Sequence, residues 1–244
     1  MNKLIDRARI LHKDEHCVVV NKAIGEAMEG VSAGMVDLAA LLGQSLGLSK
    51  TADGKDFAPT AVHRIDVPVT GCSLFARTPE ALAFLNTVFA EGKARKTYWA
   101  VVEMPSDKEK IPVLGRIIEL KQWISVDGRT NKSYVSEEAG KEKKEAILRY
   151  QLIGQGDRYL FLEVELITGR HHQIRAQLAA VGLIIKGDLK YGAKRSEKGG
   201  GIRLHARSLA FPDLSRKGAF IQCSAPLPAG DALWQAFEAA AKPS

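Results

Sequence analysis

Short apolar runs and alternating apolar and polar positions recur along the chain, each bounded by Gly, Pro or charged residues. Such runs predict β-strands, because successive strand residues point to opposite faces of a sheet. The predicted strands cover residues 10–12, 17–22, the apolar end of 63–76, 97–102, 146–152, 159–166, 204–210 and 219–223. In the strand 97–102, Tyr98 lies on one face and Trp99 on the other.

Four segments repeat apolar residues at the helical period. Met35–Leu46 is the first, and the second begins at Thr78-Pro79-Glu80, which combines a capping hydroxyl, Pro at the first helical position and an early acid. The third contains Ile174 and ends near Gly182, and the fourth follows Asp231. Strands and helices without regular alternation predict one α+β domain over residues 1–244, with a mixed, largely antiparallel sheet flanked by helices and loops around a basic cleft.

Composition and charge narrow the class of protein. With 45% hydrophobic and 26% charged residues, no apolar run near the roughly 20 residues of a membrane span, and no signal-peptide pattern, we expect a cytoplasmic protein. The net charge of +7 favours a polyanionic partner, because clustered Lys and Arg release counterions from phosphates. The three cysteines, Cys17, Cys72 and Cys223, are far apart and show no CxxC or Cys/His metal spacing, so we expect buried, reduced thiols.

One stretch concentrates charge beside a strand: His63-Arg64-Ile65-Asp66 precedes a turn marked by Pro68 and Gly71. Alone, the tetrapeptide favours a surface salt bridge beside a turn over a site, since short motifs often match by accident. Two companions favour a functional site. Tyr98 follows a basic cluster that ends at Lys96, and Arg175 begins a helix whose entry holds Arg170, His171 and His172.

The adjacent histidines His171 and His172 do not have metal-ligand spacing, because no acid stands three or four residues away on a helix. His171 shares a helical side with Arg175, which favours contact with a substrate or phosphate. The turn Thr168-Gly169-Arg170 lacks the GKS/T ending of a phosphate-binding loop, which excludes an NTPase. Of the two aromatic residues in the strand 97–102, we expect Trp99 in the core and Tyr98 facing a wet cleft.

Together these segments resemble the RluA family of RNA pseudouridine synthases. The resemblance extends in order over nearly the whole chain. Four blocks carry it: Ile10–Gly25, His63–Ala76, Lys96-Thr97-Tyr98 and Thr168–Asp188, with a weaker match at Leu204-His205-Ala206 and Ala225-Pro226-Leu227-Pro228. The chain departs from the family pattern at Ala23, Val69-Thr70, His171 and Lys186, none of which replaces an expected catalytic group.

The resemblance implies that uridine in RNA becomes pseudouridine: uracil leaves through N1, turns over and is reattached through C5, without a cofactor or metal. It implies that Asp66 acts at the ribose, at C1′ as nucleophile or at C2′ as base. Arg175 would pair with this carboxylate, because a dry pocket alone would favour its neutral form. Tyr98 would stack on the uracil and assist proton removal at C5, and Arg64 would enter the RNA stack as the base flips.

The remaining site residues have supporting roles in the same scheme. His63 is expected to support the Asp66 stretch, Lys96 to contact RNA, and Arg170, His172 and Gln173 to position backbone near the pocket or touch phosphate. The partner is RNA, either tRNA or ribosomal RNA, with no membrane and no obligatory protein partner. The chain before Ile10 is too short for the S4-type RNA-binding module of many relatives, so the catalytic domain itself would bind the RNA.

Two other function classes remain open on the residues. One is a catalytically silent RNA-binding or RNA-remodelling protein, although the joint presence of Asp66, Tyr98 and Arg175 opposes it. The other is a metal-independent hydrolase built around Asp66 and the histidines, which leaves the resemblance unexplained. The loops 47–60, 105–145 and 194–201 are expected to select the RNA.

Overall fold

The computed structural model describes residues 4–30, 36–51 and 53–241, which form two compact units. Unit 1 contains Met1–Arg95 and Ala206–Pro226, and unit 2 contains Lys96–His205 and Leu227–Ser244. No helix in these described ranges is long and apolar enough to cross a membrane. Helices and strands do not alternate regularly along either unit, which confirms the α+β prediction.

The helices are α1 Leu38–Leu46, α2 Pro79–Ala90, α3 Gln173–Ala180 and α4 Ala232–Ala240. The strands of the first half are β1 Ile10–Lys13, β2 Cys17–Lys22, β3 Glu26–Ala27, β4 Val36–Asp37, β5 Ser49–Lys50, β6 Asp56–Phe57, β7 Thr60–Ala61, β8 Thr70–Ala76 and β9 Arg95–Glu103. Those of the second half are β10 Ile118–Asp127, β11 Lys132–Ser136, β12 Lys144–Gln155, β13 Tyr159–Leu166, β14 Leu204–Pro212 and β15 Phe220–Ser224.

Unit 1 is built on the strand order β1-β2-β8-β14, with β15 paired to β14 and β7 paired to β8. β2 and β8 are antiparallel, with Cys17 opposite Ala76 and Lys22 opposite Gly71. All seven residues of β8 are buried, so this strand forms the centre of the unit. Gly71 has φ +113°, and a Cβ there would lie 2.3 Å from the Ala206 carbonyl oxygen, so the close approach of β14 requires glycine.

Each of the two helices of unit 1 begins directly after a residue whose side chain caps its first turn. The Thr78 side chain accepts a hydrogen bond from the Ala81 N–H and Pro79 takes the first helical position, as predicted. The prediction that α1 begins at Met35 is wrong for the described part of that segment, and Met35 itself lies outside the described residues. Val36–Asp37 forms a strand, and the Asp37 carboxylate caps α1 by accepting from the Ala40 N–H.

Unit 2 is an antiparallel sheet in the order β9-β13-β12-β10-β11. One face of β9 presents Trp99 and Val101 to a buried cluster completed by Phe161, Trp234 and Phe237. The Trp99 and Phe237 rings stack with centroids 4.4 Å apart, which fixes α4 against the sheet. This confirms the expectation that Trp99 is a core residue.

The charged segment 105–145 is more ordered than its composition suggests. It contains the ten-residue strand β10, and the turn sequence Val126-Asp127-Gly128, which predicts a hairpin, joins β10 to β11. The last predicted connection residues, Lys144 and Glu145, already belong to β12. Alternation is weak in β10 because it carries three charged residues and a glutamine, so its pattern does not separate it from a loop.

Candidate active site

Asp66 lies in the turn that leads into β8. The Val69 N–H donates to the Asp66 carbonyl oxygen at 2.9 Å, which closes the turn, and the Asp66 side chain is half-buried. Arg64, two residues earlier, is exposed. The neighbouring Ile65 is 7% exposed and anchors the segment in the unit 1 core. This short segment therefore brings the Arg64 guanidinium to the surface and leaves the Asp66 carboxylate half-buried, with Ile65 anchored between them.

His63 attaches this segment to β8. Its Nε2 accepts a hydrogen bond from the Leu74 backbone N–H at 3.2 Å, and its ring stacks on Phe89 of α2 with centroids 5.1 Å apart. Since Nε2 serves as an acceptor, the ring is held as a neutral support. His63 therefore joins the Asp66 segment to β8 and α2.

Lys22 holds the same turn from the other side. It is 1% exposed, and its Nζ donates to the carbonyl oxygens of Ala23, Glu26 and Val67 at 3.0, 2.8 and 3.1 Å. The Gly25 N–H also donates to the Val67 carbonyl at 3.1 Å. Because Val67 follows Asp66 directly, these two donors fix the backbone that carries the carboxylate.

Burial lowers the pKa of Lys22 to about 8, while the nearby carboxylates of Glu26 and Asp66 act to raise it. The Asp66 carboxylate is therefore close enough to stabilise the charge on Lys22. A charged lysine with no accessible surface is costly unless its donors are used, and here all three protons have carbonyl acceptors.

Glu26 completes the support beneath Lys22. Arg9 forms a two-point salt bridge with it, with Nη1 to Oε1 at 2.9 Å and Nη2 paired with Oε2. The Ala23 N–H donates to Glu26 Oε2 at 2.8 Å, and Arg9 Nε donates to the Asn21 carbonyl oxygen at 3.0 Å. These bonds close the chain from Asn21 to Glu26 into a loop, and the loop holds the Lys22 side chain in position.

In unit 2, Arg175 lies on the first turn of α3 and is 5% exposed. Its Nε and Nη2 donate to Asp188 Oδ2 and Oδ1 at 2.7 and 2.8 Å, and Asp188 is 1% exposed. A bidentate pair of this kind fixes the plane of the guanidinium. The third nitrogen, Nη1, takes no part in this bidentate pair, so Asp188 determines the direction in which it points.

Tyr191 connects Arg175 with the histidine segment. Its ring lies 5.0 Å from the Arg175 guanidinium carbon, and its hydroxyl accepts from the Ser133 N–H at 2.9 Å. The hydroxyl is also 3.1 Å from His172 Nδ1. Burial raises the pKa of Tyr191, so it is a neutral phenol at physiological pH.

The expectation that His171 shares a helical side with Arg175 is wrong. His172 has φ +50°, so the chain turns there and α3 begins only at Gln173. The His171 ring instead stacks on His172 at 3.8 Å, and its Nδ1 lies 2.9 Å from Ser133 Oγ. The two histidines are therefore held by unit 2 itself.

Gln173 and Arg170 shape the turn before α3. Gln173 Oε1 accepts from Thr168 Oγ1 at 2.8 Å and from the Arg170 N–H at 2.9 Å, while its Nε2 donates to the Ile147 carbonyl at 3.1 Å. Arg170 is exposed, with its Nε donating to the Glu145 carbonyl at 2.8 Å. Gln173 therefore positions backbone, and Arg170 leaves a guanidinium at the surface.

Tyr98 and Lys96 are both buried, whereas the sequence predicted that Tyr98 would face a wet cleft. Tyr98 is 6% and Lys96 is 8% exposed. Burial lowers the pKa of the Lys96 ammonium. Because a strand alternates its faces, Tyr98 and Lys96 lie on the face of β9 opposite Trp99.

The structure thus divides the predicted site residues between the two units. His63, Arg64 and Asp66 belong to unit 1, whereas Lys96, Tyr98, Arg170, His172, Gln173 and Arg175 belong to unit 2. The supporting residues Lys22, Asp188 and Tyr191 received no role from the sequence. Lys22 and Asp188 lie inside the quoted blocks, but nothing local distinguishes a buried lysine or acid from an exposed one.

Within the described ranges, one set of three side chains has donor atoms close enough to hold a metal ion together: His12, Asp14 and Cys17. None of them is a predicted site residue. Their chain spacing, H-x-D-x-x-C, was not recognised in the sequence, because it differs from the Cys/His spacings of common zinc modules.

Comparison with known proteins places this geometry in a family. The sequence pattern of the RNA pseudouridylate synthase family matches residues 10–180. An RNA pseudouridine synthase of Zymomonas mobilis is 29% identical over 221 residues, covering 90% of this chain and 94% of that relative. Ribosomal large subunit pseudouridine synthase D of the same organism is 32% identical over 205 residues, covering 83% of this chain and 60% of that relative.

A solved structure agrees at the level of fold. Human RNA pseudouridylate synthase domain containing 4 superposes with a TM-score of 0.68 at 21% identity, covering 96% of this chain and 91% of that one. The RluA-type resemblance drawn from the motifs is confirmed. The chain belongs to the RNA pseudouridylate synthase family.

Proposed function

We propose that this protein isomerises uridine in structured RNA to pseudouridine, with Asp66 as the essential carboxylate. The observation that carries the proposal is the family match over residues 10–180, a range that contains Asp66, Tyr98 and Arg175 with the side chains that the reaction needs. Geometry within each unit supports it, since buried Lys22 fixes the backbone next to Asp66 and buried Asp188 binds Arg175.

The reaction conserves every atom except one exchanged hydrogen. The bond from C1′ to N1 breaks, the uracil turns over, and a bond from C1′ to C5 forms. The proton on C5 leaves to solvent, and N1 acquires a proton. We assign Asp66 to the ribose step, at C1′ or C2′, because a carboxylate can act there either as a nucleophile or as a base.

The supports around Asp66 give this assignment a physical basis. The backbone of the Asp66 turn is fixed by donors from Lys22 and Gly25, so the carboxylate does not have to be ordered when substrate binds. Holding a reacting group in place before binding removes an entropy cost from the chemical step. The buried Lys22 ammonium also lies near the Asp66 carboxylate, whose charge acts to raise the pKa of Lys22.

Three further residues complete the proposed mechanism. Arg175 would bind the Asp66 carboxylate, with its guanidinium plane set by Asp188. Tyr98 would stack on the flipped uracil and take part in removal of the C5 proton. Exposed Arg64 would replace the base in the RNA stack, which reduces the unstacking cost of flipping.

The proposed substrate is structured tRNA or ribosomal RNA. The net charge of +7 suits a polyphosphate, and one relative is named as a ribosomal large subunit pseudouridine synthase. His63, Lys96, Arg170, His172 and Gln173 would support or contact the RNA. Mapping pseudouridine in RNA from cells with and without the gene would identify the site, and an unchanged map in both tRNA and rRNA would contradict this choice of substrate.

The reaction is tested by tritium release. The purified protein is incubated, without added cofactor, with tRNA and rRNA pools that carry tritium at uracil C5. We expect tritium in water in proportion to the pseudouridine formed, because the C5 proton is lost in the isomerisation. A protein that binds these pools but releases no tritium from any of them would instead be a silent RNA-binding protein.

A further inference from the structure

The hairpin between β1 and β2 gathers three chemically different donor atoms at the end of unit 1. His12 is near the end of β1, Asp14 is in the turn, and Cys17 is the first residue of β2. His12 Nε2 lies 2.8 Å from Asp14 Oδ2, and Cys17 Sγ lies 3.8 Å from the same oxygen. All three donor atoms lie within 4.8 Å of one another.

The Asp14 carboxylate is locked in this orientation. Its Oδ1 accepts from the backbone N–H groups of His16 and Cys17 at 2.8 and 2.7 Å, so the side chain cannot rotate without losing both bonds. Arg77 also holds the turn. Its side-chain Nη1 donates to the Asp14 carbonyl oxygen, and its backbone N–H donates to the His16 carbonyl oxygen at 2.7 Å. The other oxygen, Oδ2, is therefore directed at His12 and Cys17 before any ligand arrives.

The two separations from Asp14 Oδ2 are close to those of a ligated cluster, and the His12 and Cys17 donor atoms lie within 4.8 Å of each other. Zinc–ligand bonds of about 2.0–2.3 Å in a tetrahedron place neighbouring ligand atoms about 3.3–3.6 Å apart. The Asp14–Cys17 separation is 3.8 Å, and His12 needs to move about half an ångström from its 2.8 Å contact. The His12 and Asp14 side chains are 28% and 31% exposed, so an ion and a water ligand can reach the cluster from solvent.

A second observation marks the same place. His16 Nδ1 is buried, and no hydrogen-bond partner for it exists in the part of the chain that the structure describes. His16 lines a small cavity together with Asp14, Cys17 and Asp213. A buried ring nitrogen without a partner is unfavourable unless something in that cavity supplies one.

We propose that His12, Asp14 and Cys17 form a binding site for one borderline divalent cation of the Zn²⁺ or Co²⁺ type. A set of one imidazole, one carboxylate and one thiolate suits these ions, whereas Ca²⁺ and Mg²⁺ require mainly oxygen ligands. Three protein ligands leave a fourth position for water. The ion joins the turn to both of its strands, so its role is to stabilise the hairpin.

The site is independent of the proposed reaction. Cys17 is opposite Ala76 at one end of the β2–β8 ladder, whereas Lys22 is opposite Gly71 at the other end, next to the Asp66 turn. The two ends are five residue steps apart along the strand, which is about 16 Å at 3.3 Å per residue. Tritium release from RNA should therefore be unchanged when the metal is removed by a chelator at a temperature where the protein stays folded.

The test is a titration of the reduced, metal-free, full-length protein with Co²⁺, followed by displacement with Zn²⁺. We expect one equivalent to bind with a thiolate-to-cobalt absorption band in the near ultraviolet, and we expect Zn²⁺ to raise the melting temperature. Cys17→Ser should abolish the band, and His12→Gln should weaken binding by at least about tenfold. Cys72→Ser and Cys223→Ser remove other buried cysteines and are the matched controls.

Each outcome decides the proposal. Loss of the band in Cys17→Ser, with the band kept in both control variants, supports the site. A band that persists in Cys17→Ser, or one-equivalent binding that is unchanged in His12→Gln, would place the ion elsewhere and overturn the proposal. No saturable binding by the folded wild-type protein would mean that the cluster is only a hydrogen-bonded turn.

Discussion

Replacing Lys22 by methionine tests how a buried charge beside the proposed catalytic carboxylate changes the free energy of unfolding with pH. Methionine has a similar length and no charge, and it removes donors to the carbonyls of Ala23, Glu26 and Val67. In the folded protein, burial lowers the pKa of Lys22 from 10.5 to about 8. This difference corresponds to about 3 kcal/mol of stability that depends on pH.

The sign follows from proton binding in the two states. Below pH 8 the folded and unfolded chains both carry the charge, so the folded state bears the full cost of burying it. Between pH 8 and 10.5 the unfolded chain still binds the proton while the folded chain has lost it. The contribution of Lys22 to the free energy of unfolding therefore becomes more favourable as pH rises through this window.

The assay is urea unfolding of the wild type and Lys22→Met at half-unit steps from pH 7 to pH 10.5. The difference between the two proteins cancels the titration of groups that they share. We expect the free energy of unfolding of the wild type, relative to that of Lys22→Met, to increase by about 3 kcal/mol from pH 7 to pH 10.5. Lys55→Met, which removes an exposed lysine, should show no such shift. A Lys22→Met difference that is constant with pH would refute the reasoning.

Three further predictions concern the glycine contact, the core and the Arg175 pair. Gly71→Ala should cost about 3 kcal/mol or more in urea unfolding, because φ is +113° and the new Cβ would collide with backbone, whereas Gly156→Ala, with no atom within 4 Å, should be nearly neutral. Phe237→Ala should cost about 3–5 kcal/mol by the same assay, since the ring is fully buried, and a cost below 1 kcal/mol would contradict the packing described for α4. Asp188→Asn should lower kcat by at least about tenfold with little change in RNA affinity, because it weakens the bidentate pair that orients the Arg175 guanidinium. RNA affinity is measured by filter binding. Equal losses in kcat and in RNA affinity would mean that Arg175 is only a phosphate contact.

The sequence predicted best where local chemistry decides the structure. Helix α2 begins at its predicted cap because Thr78 and Pro79 satisfy the orphan donors of the first turn. The hairpin at Asp127 follows from turn chemistry, and Trp99 is in the core because strand alternation places it there. These features depend on a few neighbouring residues.

The features that were missed depend on distant partners. The sequence alone does not distinguish Lys22 from a surface lysine, because one of its acceptors is the carbonyl of Val67, 45 residues away. Asp188 and Arg175 are 13 residues apart, outside any helical spacing. The His171 prediction assumed a continuous helix, and the positive φ of His172 cannot be recognised from residue type alone.

The central claim, that Asp66 is the carboxylate on which isomerisation depends, is tested most directly by tritium release from RNA labelled at uracil C5. The comparison is between wild type, Asp66→Asn and the control Asp157→Asn, which changes an exposed acid in a surface loop. Each protein is assayed at equal folded concentration and saturating RNA. We predict release by the wild type and Asp157→Asn and none above background by Asp66→Asn. Undiminished release by Asp66→Asn would contradict the account.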